Sequence, residues 1–371
     1  MQTDNQTSLV NNYREWKKQL FHKRHEIFTK LAYRFPGILP DRYCFVLTNM
    51  CNLRCKNCYQ EKKYKSGSMN KDDWIALTRQ LPSYARVTLV GGEPLVFPGF
   101  EEVFRYVAAR HLCNVITNGI LLDNRKADLF LSFPKFRVLA VSLDDMPNST
   151  IGLRNITKLQ WNRMVKALHY FVEQRNKRRS SCVLEVKTLM LDENAERLFE
   201  LHKYCVEELG CDHHTFQFLK GSPLQHSDRL FDFNDIYAKS HAQVCKKFST
   251  IRSQLEKIRN YNVKNHAKAF LHPKIADLNS ENPLPDISII NQNEHRKELY
   301  QPCKFPWSSV HINYDGTLFP CLAIPMGNVK EHSLREIMRG ATQKRFLQII
   351  KTSGTVEACN RCGWLRPKAR E

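Results

Sequence analysis

Cys51, Cys55 and Cys58 lie in one short run, Cys51-Asn-Leu-Arg-Cys55-Lys-Asn-Cys58-Tyr59, directly after the apolar stretch Tyr43–Leu47. Three thiolates on one loop can hold three corners of a 4Fe–4S cube, leaving the fourth iron open to a small molecule. A zinc site at this spacing would be one ligand short. A disulfide framework disagrees with 13 Cys, an odd number, and with the lack of a secretory pattern. A second set follows: Cys303, Gly316 and Cys321, then Cys359 and Cys362 two residues apart in a C-x2-C step. Four thiolates can saturate a 4Fe–4S cluster or build a four-cysteine zinc ribbon, and spacing leaves both open. Of the remaining six, Cys44, Cys113 and Cys182 fall on predicted strands and read as core; Cys205, Cys211 and Cys245 stay unassigned.

The elements that must position these loops follow a strand–helix alternation. Strands are predicted at 43–47, 87–90, 113–117, 138–143, 182–191 and 215–219, and helices at about 71–81, 98–110, 159–174 and 195–209. Asn70 followed by Asp72 and Asp73 starts the first of these helices. Serial β-α units imply a parallel sheet with right-handed crossovers. Six units fall short of the eight in a closed barrel. The fold expected is therefore α/β, a partial (β/α)6 TIM-like barrel over 43–220. Residues 1–42 read as an N-terminal extension with one amphipathic helix (Trp16, Leu20, Ile27, Leu31) ended by Pro36 and Pro40. Residues 221–300 are polar and read as an irregular or partly helical insert. Residues 301–371 read as a small domain, a β-hairpin around Asn313–Gly316 plus a helix.

Three further stretches stand in order behind the first cysteine loop: Gly91-Gly92-Glu93-Pro94, Thr117-Asn118-Gly119 and Val141-Ser142-Leu143-Asp144. Together with Cys51, Cys55, Cys58 and Tyr59 they resemble the signature of the radical S-adenosylmethionine (SAM) superfamily, over roughly residues 42 to 220. The second set resembles the Twitch domain, the short form of the SPASM extension, with one auxiliary cluster. The resemblance implies two 4Fe–4S clusters and SAM as cofactors. It implies that Cys51, Cys55 and Cys58 ligate the SAM-binding cluster, and Cys303, Cys321, Cys359 and Cys362 the auxiliary one. Gly91 and Gly92 are then expected to let the backbone approach SAM, and Glu93 to take the methionine ammonium. Ser142 and Asn118 are expected to face the ribose or carboxylate, Tyr59 and Leu219 the adenine. Lys187 has two readings, the SAM carboxylate or a buried ion pair. The implied reaction is reductive cleavage of SAM to a 5′-deoxyadenosyl radical, followed by hydrogen abstraction from the substrate.

Lys and Arg total 57 against 37 Asp and Glu, a net charge of +20. Such a charge favours acidic partners. It suits an acidic electron donor of the flavodoxin or ferredoxin kind, which the resemblance requires, or a phosphorylated or carboxylated substrate. Nucleic acid is disfavoured, since no recognisable nucleic-acid module accompanies the charge. No apolar run reaches membrane-span length, the N-terminus is polar, and a cytoplasmic protein is expected. Only about 42 residues precede the barrel, too few for a leader-binding domain plus a linker. The expected substrate is thus a small polar, sugar- or cyclitol-like molecule, with the auxiliary cluster accepting an electron. A peptide or protein maturase is the first alternative, and a non-catalytic iron–sulfur or zinc protein binding RNA the second. The catalytic acid, base or hydrogen donor is not legible. His213-His214 is discounted as a pair, because neighbours on a strand face opposite ways.

Overall fold

The structure is a computed structural model that describes residues 24–35, 37–58, 60, 67–146, 152–238 and 241–368. All six predicted strands form: β1 (Arg42–Val46), β2 (Arg86–Val90), β3 (Leu112–Thr117), β4 (Phe136–Ser142), β5 (Val183–Met190) and β6 (His213–Phe218). They pair in chain order and in parallel. After a helix at 24–34 (α1), the crossovers carry α2 (Lys71–Arg79), α3 (Phe100–Arg110), α4 (Asn124–Leu131), α5 (Lys158–Lys177) and α6 (Leu198–Lys203). Side-chain caps start several of them. Asn70 with Asp73, and Thr157 with Gln160, form capping boxes on α2 and α5. Asp123 alone caps α4, a helix the sequence reading does not contain.

The sheet grows at both ends. Within 221–300, α7 (Phe248–Asn265) leads into a strand, β7 (Ala269–His272), that pairs in parallel with β6. At the other end β8 (Ser309–Ile312) lies parallel to β1, in register Arg42 with Ser309 and Cys44 with His311. From β8 the expected hairpin runs antiparallel through β9 (Thr317–Phe319) to β10 (Gly327–Asn328). Its turn is closed by Gly316 N–H donating to Asn313 O at 2.9 Å, and φ is 90° at Gly316, where a side chain would be strained. Helices α8 (Leu334–Arg339) and α9 (Ala341–Ser353) complete this region.

Strand alternation sorts the sheet into two faces. Tyr43, Phe45, Val87, Leu89, Leu184 and Val186 pack beneath the helices in one large apolar core. A second core joins Phe216, Phe218, Ala269 and Leu271 to α7 residues Ile251, Leu255 and Ile258. The alternate residues face the barrel interior and are strongly polar toward β5–β8: Glu185, Lys187, Thr215, Gln217, His272 and His311.

The two ends of the parallel run are bridged by a loop. The carbonyl of Gly363 lies 3.3 Å from His272 Nδ1 on β7. The next residue, Trp364, stacks on Phe305 ahead of β8 with centroids 3.8 Å apart, under the Arg42 guanidinium at 5.4 Å. Helix α1 packs on the same region through Tyr33 against Trp307 and Thr29 Oγ1 donating to Ser308 Oγ at 2.8 Å. This overturns the expected apolar stripe of α1. Ile27 and Leu31 are exposed, whereas Ala32 is buried and Phe28 and Tyr33 pack on the core. The helix meets the barrel through polar and aromatic contacts that its apolar spacing does not announce. Trp16 and Leu20 lie outside the described residues.

Candidate active site

The first cysteine loop leaves the C-terminal end of β1 and is held by its neighbour strand. Gly92 N–H donates to Thr48 O at 2.7 Å and Glu93 N–H to Met50 O at 2.8 Å. The two backbones touch so closely that a Cβ on Gly91 would sit 2.7 Å from Thr48 O, and one on Gly92 2.3 Å from Met50 O. The Gly-Gly pair thus lets the strand end approach the cysteine loop itself.

Glu93 is 1% exposed. Its Oε1 accepts from Thr117 Oγ1 at 2.7 Å and from Leu95 N–H at 3.1 Å; its Oε2 accepts from Asn118 N–H at 2.7 Å. Burial pushes its pKa up, while these donors and Arg154 pull it down, with the net direction upward. The carboxylate therefore ties the Gly-Gly-Glu-Pro turn to the Thr-Asn-Gly turn, a task the sequence reading does not assign to it. Asn118 in turn reaches the cysteine loop: its Nδ2 donates to Asn52 Oδ1 at 2.8 Å and lies 3.8 Å from Cys51 Sγ. Leu53 N–H also points at Cys51 Sγ, at 3.4 Å.

The segment after β4 clamps the loop from its other side. Lys56 N–H donates to Leu153 O at 3.2 Å, and Asn155 Nδ2 donates to Arg54 O at 2.6 Å. Cys55 Sγ lies 3.9 Å from Arg154 O. The Arg154 guanidinium is enclosed, paired with Asp144 at 2.6 Å, and the charges of Asp144, Cys55 and Cys58 hold it protonated against desolvation. Sequence reasoning finds Asp144 but misses Arg154; a basic residue ten positions past Asp144 is the only signal. Ser142 and Lys187 are register partners across β4 and β5 on the interior face. Lys187 Nζ is 3.0 Å from Glu185 Oε1, the ion pair named as one of its two readings. Leu219 is half-buried just past β6, and Tyr59 lies outside the described residues.

The second set is gathered in one buried neighbourhood. Cys359 is buried; Cys303, Cys321 and Cys362 are half-buried. Burial pushes the Cys303 thiol up to about 12, and each further charge among Cys303, Cys321, Cys359 and Cys362 opposes its neighbours' ionisation. Bound iron or zinc is what reverses that penalty. Among the described residues no three His, Cys, Asp or Glu side chains stand at metal-ligating spacing. The fit thus rests on the donors. The first loop offers three thiols, with Leu53 N–H and Asn118 Nδ2 facing Cys51, and the second set offers four thiols that bear on one another electrostatically, donor sets of the kind that iron–sulfur ligation uses. Lys220, just past β6, donates from Nζ to Gln225 O at 3.1 Å. Burial lowers its pKa to about 8, against the opposing pull of Cys362, Cys44 and Cys58. His214, by contrast, faces the helices and is bonded to Thr188 and His202, as a core residue.

Residues 45–205 match the radical SAM superfamily, and residues 303–363 match the SPASM iron–sulfur cluster-binding domain. The Bacillus subtilis (strain 168) antilisterial bacteriocin subtilosin biosynthesis protein AlbA is 29% identical over 33% of this chain, and the match spans only 28% of AlbA. The Fe-coproporphyrin III synthase of Methanosarcina barkeri is 21% identical over 86% of this chain and 79% of its own. In fold, the chain resembles Streptococcus suis SuiB bound to its precursor peptide SuiA, with a TM-score of 0.61 at 14% identity, over 94% of this chain and 76% of that one. No helix among the described residues is long and apolar enough to cross a membrane. The two domains imply 4Fe–4S clusters with SAM. With its motifs at the strand ends, the chain thus carries a radical SAM domain over residues 45–205 and a C-terminal SPASM iron–sulfur domain over residues 303–363.

Proposed function

We propose that this chain oxidatively modifies a small polar substrate held inside the barrel, between the Cys51/Cys55/Cys58 loop and the thiol quartet. The observation that carries this reading is the polar interior face of β5–β8, where Glu185, Lys187, Thr215, Gln217, His272 and His311 alternate with apolar residues. A SAM-loaded first cluster would supply radical chemistry for hydrogen abstraction from the substrate, and the second cluster would supply a one-electron acceptor. In this reading Cys51, Cys55 and Cys58 hold the first cluster, and Cys303, Cys321, Cys359 and Cys362 the second. Gly91 and Gly92 admit the backbone of the turn, and Glu93 keeps it rigid. Asn118 and Arg154 orient the cysteine loop. Ser142 and Lys187 present polar groups to SAM from adjacent strands, with Leu219 and Tyr59 on its adenine side. An acidic electron donor suits the +20 charge.

AlbA and SuiB favour a second reading, a peptide substrate. Against it, the AlbA match covers a third of this chain, and the SuiB likeness concerns the fold alone. A relative that aligns along most of the chain carries the name of a porphyrin-forming enzyme, a small-molecule activity.

The test is anaerobic reconstitution with iron, sulfide, SAM and a reductant, followed by assay of 5′-deoxyadenosine. Cleavage lost in Cys55→Ala supports the enzyme reading; no cleavage in the wild type ends it. Adding cell-extract fractions with and without protease treatment separates the substrates. Protease-resistant stimulation supports the small molecule, and protease-sensitive stimulation the peptide.

A further inference from the structure

His226 and His311 meet inside the barrel from elements far apart in the chain. His311 lies on β8 beside Cys44 of β1. His226 comes from the loop after β6, where φ is 54° and its N–H donates to Cys321 O at 3.2 Å. Their ring centroids are 4.2 Å apart at a tilt of 44°, and His311 also stacks on Phe319 with an interplanar angle of 6°. His226 Nδ1 and His311 Nε2 are both buried without a hydrogen-bond partner. A buried polar atom left so costs about 1–3 kcal/mol. Two such atoms on rings whose centroids are 4.2 Å apart call for a polar guest.

The guest's charge follows from the surroundings. Two cations stand near the pair: Lys220, whose Nζ donates to Gln225 O at 3.1 Å beside His226, and Arg42 of β1. Arg42 is fixed on this face by donating to Ser309 Oγ at 2.9 Å, two residues before His311. An imidazole carries at least one N–H to donate in either protonation state, so both rings can serve an acceptor. A cationic group would be repelled here, and an apolar one would leave the ring nitrogens stranded.

We propose that His226 and His311, flanked by Lys220 and Arg42, form a subsite that holds an oxyanion of the substrate, a carboxylate or a phosphate, inside the barrel. The inference deepens the reading of the barrel interior as the substrate chamber and depends on it. It narrows the substrate to an acid or a phosphoester whose anionic end is anchored next to the auxiliary thiols, with its reacting end directed toward the first cysteine loop.

The experiment measures the melting temperature of the reconstituted full chain with sodium propionate, inorganic phosphate or propionamide, at ionic strength matched with chloride. At tenfold above its dissociation constant the bound anion should raise the wild-type midpoint by about 2 °C. The rise should vanish in His311→Phe and in His226→Leu, and whichever of propionate or phosphate produces it identifies the oxyanion. A second readout needs no variant: propionate or phosphate should protect His226, the more exposed of the pair, from carbethoxylation mapped by mass spectrometry. An equal rise with propionamide, a rise that survives in both variants, or unprotected His226 overturns the subsite. Neither readout uses SAM. If the wild type makes no 5′-deoxyadenosine, the activity reading falls while the anion result is judged separately.

Discussion

Replacing Glu93 with Gln separates two roles for one carboxylate. The sequence reading gives Glu93 the methionine ammonium. In the structure it is 1% exposed and accepts three hydrogen bonds, from Thr117 Oγ1, Leu95 N–H and Asn118 N–H. In Glu93→Gln the amide oxygen can still serve Thr117 and Leu95, but the amide NH2 then faces the Asn118 N–H, donor against donor. One charge-assisted bond is lost, worth roughly 1.5–3 kcal/mol, and one buried N–H is stranded at about 1–3 kcal/mol. A loss of about 3–5 kcal/mol is expected, a large part of the roughly 5–15 kcal/mol that stabilises a typical domain. Urea unfolding followed by tryptophan fluorescence measures it, alongside SAM binding to the reconstituted protein. Combining Glu93→Gln with Thr117→Val should give a non-additive pair, with a coupling of about 0.5–3 kcal/mol. If Glu93→Gln unfolds at the wild-type urea midpoint while SAM affinity drops, the carboxylate is an ammonium ligand alone. The tie between the two turns would then be refuted.

Three other perturbations follow from the same geometry. Gly92→Ala puts a methyl 2.3 Å from Met50 O, so it should displace the first cysteine loop. Iron analysis should show about four irons remaining, held by the second set, with SAM cleavage abolished. The wild type should hold about eight irons after reconstitution, and Cys359→Ser with Cys362→Ser about four; four irons plus one zinc in the wild type would assign the quartet to zinc. His202, fully buried between Asn262 and His214, has its pKa lowered to about 4 by desolvation. Its folded value lies below the ordinary value of about 6.5, so its contribution is complete above pH 6.5 and lost as pH falls toward 4, by roughly 3 kcal/mol. His202→Gln should flatten that acid limb of a stability–pH curve, and an unchanged slope would remove His202 as its cause.

What was legible in the sequence was local. Each motif sits at a strand's C-terminal end, and the alternation that marks β5, with Glu185 and Lys187 between apolar neighbours, is visible in eight residues. Helix α4 escaped because Asp123 is its single side-chain cap and its apolar residues fill barely two turns. Strand β7 escaped because four residues between Lys268 and Pro273 carry no usable period. Its place in the sheet comes from pairing with β6 and from the α7 core. The pairing of β8 with β1 joins Arg42 to Ser309, and no periodicity reports a partner so distant. The same holds for Arg154 with Asp144, and for His226 with His311.

That division follows the division of labour in the molecule. The motifs proposed to hold SAM are short turns, each at the end of its own strand, so their parts are spelled in consecutive residues. The chamber proposed for the substrate is different. Lys220, His226, His311 and the Gly363–Trp364 bridge come together only because β8 and the last cysteine loop return to a sheet whose first six strands lie between residues 42 and 218. Residues that choose a substrate can therefore differ between relatives that share every SAM motif. The chemistry of this chain is read from its turns, and its substrate has to be read from the groups that the closure of the barrel brings together.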